Sequence, residues 1–158
     1  FVRIFLKAPS ERKRFNVLGA LNAINHEMIV ITNTGYINAY SVCELLIKLT
    51  QRCGDLPISI VLDNARYQKC KLVQQTAKVF DIELLYLPAY SPNLNLIERM
   101  WKFVKKKCLY SMYYPDFASF KKAISECLAK TDNDYKKELS SFLSLNFQSF
   151  AKSQTIAC

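Results

Sequence analysis

A chain of 158 residues, 51% of them hydrophobic, carries enough apolar material for one compact domain with a real core. Its 22 Lys and Arg against 13 acids leave a net charge of +9 and an isoelectric point near 9.3, which favours a polyanionic partner, either nucleic acid or an anionic membrane surface. No apolar stretch approaches the roughly 20 residues that cross a bilayer and no signal-peptide pattern opens the chain, which argues against a helical membrane protein and leaves a soluble intracellular one as the expectation.

Residues 1–8, FVRIFLKA, are rich in β-formers and predict a strand; because Phe1 already lies inside it, the chain is expected to begin partway through a larger protein. A basic, polar turn at residues 9–14 leads to FNVLGALNAI, a second strand, and the break Asn25-His26-Glu27 separates that from MIVIT, a third. Short connections between three successive strands predict an antiparallel meander. Beyond Gly35 the period changes: Val42, Leu45, Leu46 and Leu49 are spaced as on a helix, which Gly54 closes. ISIVLD, residues 58–63, is a continuous apolar run of the kind a fully buried central strand shows, and it ends in a carboxylate. A helix around residues 69–80, the strand ELLYLP and the loop AYSP then lead into NLNLIERMWKFVKKKCLY, whose Leu94, Ile97, Trp101, Val104 and Cys108 form an apolar stripe. Amphipathic helices over 116–130 and 134–147 follow, and the tail 149–158 reads as loosely held. A meander followed by β-α units in one mixed sheet predicts an α/β three-layer domain over residues 1–148.

Asp63, at the carboxyl end of its strand, and Glu98, about one turn into its helix, are 35 positions apart, with one helix and one strand between them to return the chain beside itself. The two acids are therefore expected at one sheet edge. Glu98, Lys102 and Lys105 share a helix face, where a carboxylate can hold a hard divalent ion and lysines the phosphates of a strand. Phosphodiester cleavage needs an activated water and a stabilised leaving oxygen, and two ions held by oxygen ligands serve both ends of the displacement.

The strings VLDNARYQK (61–69) and LYLPAYSPNLNLIERMWKFVK (85–105) resemble the second and third carboxylate motifs of the DDE transposases, specifically the mariner-like superfamily and its bacterial insertion-sequence branch. FNVLGALN is also similar to that family's second strand, and the resemblance covers about residues 12–110. It implies an RNase H-like mixed sheet flanked by helices and three carboxylates binding two Mg²⁺ or Mn²⁺ ions. The implied activity is DNA strand cleavage at element ends and transfer of the freed 3′ hydroxyl into target DNA. On the matching positions Asp63 and Glu98 become catalytic metal ligands. Asn64 would steady the metal loop, Ser91-Pro92-Asn93 would cap the helix of Glu98, and Arg66 and Lys69 would join Lys102, Lys105 and Lys106 as DNA contacts. Residues 1–10 hold no acid and Glu11 sits in the basic turn, so the first family carboxylate is expected upstream of Phe1 and the segment alone is expected to be catalytically incomplete. Gln68 stands where many relatives have histidine, and Leu96 where proline is common.

The partners implied are DNA and a second copy of the chain, with no membrane and no small-molecule cofactor, in a cytoplasmic, nucleoid-associated bacterial setting. Six scattered cysteines and a single histidine, without a C-x-x-C pair, speak against zinc and for reduced thiols in the core. With only three glycines there is no phosphate-cradling loop for a nucleotide triphosphate, and Tyr110, Tyr113 and Tyr114 lack the basic triad of a tyrosine recombinase. Two other readings stay open: a non-catalytic or decayed DNA-binding and assembly module with the same fold, and an RNase H-like nuclease that cuts without joining.

Overall fold

The computed structural model describes residues 13–88 and 95–143. The run expected as the first strand, the AYSP loop and the 149–158 tail lie outside the described residues.

Strands β1 (Asn16–Leu21) and β2 (Met28–Asn33) pair antiparallel, with Leu18 opposite Ile31. The chain reverses between them through a turn in which Asn22 bonds the backbone of both His26 and Glu27, with His26 in the left-handed region at φ 63°. Helix α1 (Ala39–Cys53) follows. Asn38 starts it, accepting from the Ser41 amide at 3.2 Å while the Ser41 hydroxyl accepts from the Asn38 amide at 3.4 Å, and Gly54 stops it at φ 60°, where a β-carbon would be strained. Strand β3 (Ile58–Leu62), helix α2 (Lys71–Val79) and strand β4 (Ile82–Tyr86) form a β-α-β unit whose strands pair in parallel, Ile60 beside Leu84. Three helices complete the described chain: α3 (Leu96–Cys108), α4 (Phe117–Ala129) and α5 (Lys136–Phe142).

Strand β1 divides two cores because its apolar side chains alternate across the pleat. Leu18 packs with α1, α2, β3 and β4, where Val42, Leu46 and Val73 are fully buried. Val17 and Leu21 pack on the other side against Met100, Phe103, Val104 and Leu139 of α3 and α5. The arrangement is helices, strands, helices. Gly19 lets α3 come close: a β-carbon there would lie 3.1 Å from the Trp101 ring. The described strands form two two-stranded sheets, one antiparallel and one parallel, so the mixture of pairings is as expected.

Two details differ from expectation. β3 is not buried on both faces: Ile58, Ile60 and Leu62 point inward, while Ser59 and Val61 are exposed. On α3 the deepest side chains are Met100 and Phe103, whereas Ile97 and Trp101 are only partly buried beside them. Val104 and Cys108 of the expected stripe are buried and Ile97 and Trp101 pack against the same core, so the inward face is the expected stripe widened to take in Met100 and Phe103.

Candidate active site

The parallel pairing of β3 and β4 carries both strands toward one edge, where Leu87 donates its amide to the Leu62 carbonyl at 2.9 Å. Asp63 is the next residue after β3, exposed at that edge. Beside it Asn64 donates its side-chain amide to the Leu87 carbonyl. That bond extends the join between the strands by one residue beyond the regular ladder, so the loop holding Asp63 is tied at its root.

Asn95 brings the third element in. It is the N-cap of α3: its Oδ1 accepts from the Ile97 amide at 3.2 Å and its backbone carbonyl from the Glu98 amide at 3.3 Å. Its Nδ2 donates to Asp63 Oδ1 at 2.7 Å. One short side chain thus joins the end of β3 to the first turn of the helix carrying Glu98. Ser91, Pro92 and Asn93, expected to cap this helix, lie outside the described residues, and the cap is Asn95. The signal was present in the sequence, because asparagine directly before an apolar-periodic run is a preferred N-cap.

Glu98 is half-buried in the first turn, where the exposed amides of a helix start favour negative charge. Lys102, Lys105 and Lys106 are exposed further along α3. Lys107 points elsewhere, 2.7 Å from Glu138 and over the rings of Phe103 and Tyr135, and that bond to Glu138 holds its ammonium above the usual lysine range. In the loop after Asp63, Arg66 is exposed and Lys69 rests 5.0 Å over the Tyr86 ring, whose hydroxyl donates to the Gln68 carbonyl at 3.1 Å. Gln68 is buried, and its Oε1 is without a hydrogen bond among the described residues.

The acidic side chains placed at this edge are Asp63, just after β3, and Glu98, in the first turn of α3, and both offer carboxylate oxygens. Hard divalent cations take such donors, and a carboxylate that accepts one bond at Oδ1 keeps further lone pairs for an ion. The residues present therefore fit Mg²⁺ or Mn²⁺. No group of three His, Cys, Asp or Glu side chains able to hold a metal occurs among the described residues.

A sequence profile of the DDE superfamily endonucleases matches residues 3–121. No curated protein sequence matches the chain. Among solved structures, the catalytic core domain of BIV integrase superimposes with a TM-score of 0.57 at 14% identity, over 82% of this chain and 92% of that one. The Mos1 transposase catalytic domain, solved with raltegravir and Mn, gives 0.57 at 17% identity over 86% and 82%. Mos1 transposase in a paired-end complex with the left transposon end gives 0.56 at 18% identity, covering 93% of this chain and 49% of that one. The present chain thus spans about half of that transposase. It belongs to the DDE superfamily endonucleases and has the RNase H-like fold that integrase and transposase catalytic cores share.

Proposed function

We propose that the chain is the catalytic domain of a mariner-like DNA transposase of the bacterial insertion-sequence branch, cutting DNA at element ends and joining the freed 3′ hydroxyl to target DNA. The observation that carries this reading is the bond from Asn95 to Asp63, which holds the strand-end acid against the helix start that presents Glu98. Further support comes from Mos1 transposase, solved with Mn and with transposon-end DNA.

Asp63 and Glu98 would hold two Mg²⁺ or Mn²⁺ ions together with a third carboxylate from outside the described residues. When bound, the ions supply Lewis acidity to the attacking and leaving oxygens of the displacement. The protein's own part is positioning and charge. Asn64 keeps the Asp63 loop fastened to β4, while Lys102, Lys105 and Lys106 bind phosphates along α3 and Arg66 and Lys69 do so beside the loop. Phosphate contacts set register and affinity without reading bases, so recognition of element ends is assigned to another module. A homodimer working on paired ends completes the picture.

The test is cleavage and joining by the full-length protein with its own end sequence, in a divalent-metal titration, alongside Asp63→Ala and Glu98→Ala. Metal-dependent cutting and joining are expected in the parent. Each substitution is expected to lower the rate by more than the roughly 100-fold that loss of an outer-shell partner costs. Cutting without divalent metal would overturn the proposal. Cleavage without joined product would make the protein a nuclease, and salt-sensitive DNA binding with no cleavage in any of the three would make it a binding module.

A further inference from the structure

We propose that Asn95 is a positioning residue for the metal site, fixing the orientation of the Asp63 carboxylate relative to Glu98. This rests on the assignment of those two acids as metal ligands. Asn95 is extended, at φ −95° and ψ 104°, and both ends of its side-chain amide are engaged, Oδ1 with Ile97 two residues on and Nδ2 with Asp63 across 32 residues. The assignment of its oxygen and nitrogen is forced by chemistry. A backbone N–H can only donate and an ionised carboxylate can only accept, so Oδ1 must face Ile97 and Nδ2 must face Asp63. The same atoms therefore do two separable things: Oδ1 starts the helix that carries Glu98, and Nδ2 holds one oxygen of Asp63.

A cap alone does not require asparagine. Serine, threonine and aspartate cap about as well, but aspartate has no donor and would set a second carboxylate against Asp63, while serine is shorter by the whole amide group. Asparagine caps through its oxygen and donates through a separate nitrogen, whereas a serine hydroxyl would have to serve both partners from one shorter atom. With Oδ1 of Asp63 held by Asn95, the remaining lone pairs are presented in one orientation, and rotation about the Asp63 side chain is restrained in the metal-free protein. Asn64 ties the same loop to Leu87, so the backbone carrying the carboxylate is held as well. Outer-shell partners of this kind set the orientation of a ligating carboxylate and contribute to metal affinity.

Two measurements on the full-length protein separate positioning from capping. In the metal-free protein, NMR of the Asn95 side-chain amide is expected to show protection from hydrogen exchange that Asp63→Ala removes, with the Ile97 backbone amide still protected. Mn²⁺ titration followed by EPR is then compared for parent, Asn95→Ser and Asn95→Ala. Asn95→Ser, which keeps a capping oxygen, is expected to melt near the parent temperature yet bind Mn²⁺ about ten-fold more weakly. Asn95→Ala should lose both properties. If Asn95→Ser binds Mn²⁺ as the parent does, Asn95 is a cap and the proposal is overturned. A parent that binds no Mn²⁺ overturns it too, and that result is distinguishable because it removes the metal-site reading itself.

Discussion

Lysines on α3 look alike as residues and differ in what they touch. All four are exposed, but Lys107 bridges to Glu138 on α5 and lies over Phe103 and Tyr135, while Lys102, Lys105 and Lys106 stand along the helix without such an ion pair among the described residues. Lys107→Met is therefore expected to lower the melting temperature while DNA affinity changes little. Lys105→Ala and Lys106→Ala should leave melting unchanged, weaken DNA binding for all sequences alike and reduce the salt slope by about 1 each. Fluorescence anisotropy across a salt series beside thermal melts checks both. A second residue-scale effect concerns Cys108, buried between α3 and α4, whose thiol is pushed up to about 12 by burial and then by the neighbouring Cys127. Because the folded protein holds that proton more tightly than the unfolded chain, whose thiol titrates near about 8.5, its contribution is full below that value and is lost as pH rises toward 12. Denaturant midpoints should fall over that alkaline window in the parent and fall less in Cys108→Ala.

Helices and strands were legible to the extent that their signals are local. Helix α1 follows directly from its apolar spacing, with Asn38 before it and Gly54 after it, and all three act where they stand in sequence. β3 was harder to read, because a run of five apolar-rich residues looks the same whether one face or two are covered. Val61, on the outward face and 53% exposed, is what hides the alternation. The wider inward face of α3 has a similar origin: Met100 and Phe103 stand beside the apolar stripe, and how deep each of them lies is set by what packs against the helix. Trp101, partly buried against that core, also packs over Gly19 of β1. Gly19→Val should force that ring away and destabilise the protein by about 1–3 kcal/mol, as overpacking does, while Gly35→Ala, where a β-carbon meets nothing, should not. Chemical denaturation of the two variants separates the cases.

At the scale of the whole molecule, β1 lies between a core built on α1, α2, β3 and β4 and another built on α3, α4 and α5. Asp63 belongs to the first body and Glu98 to a helix of the second, so the candidate site lies where the two meet. Relative movement of the halves would change the separation of the acids, and Asn95 is the side chain that spans them at this edge. Basic side chains extend past α3: Arg14 lies 5.0 Å over Tyr36, and Lys121 packs 5.5 Å from Phe15. With a net charge of +9, binding to DNA is expected to fall steeply between low and physiological salt.

The family and the fold class were legible in sequence alone: a strand-end acid, a second acid on an amphipathic helix 35 positions later, and motifs specific enough to place the chain among the DDE endonucleases. These are features of residue type and spacing, and local patterns carry them. Tertiary structure decided that Lys107 bridges to Glu138, that Met100 and Phe103 are the deepest side chains of α3, and that Asn95 reaches Asp63. Each of those is a contact between residues far apart in the chain, and such contacts depend on the path the backbone takes between them, which no local period encodes.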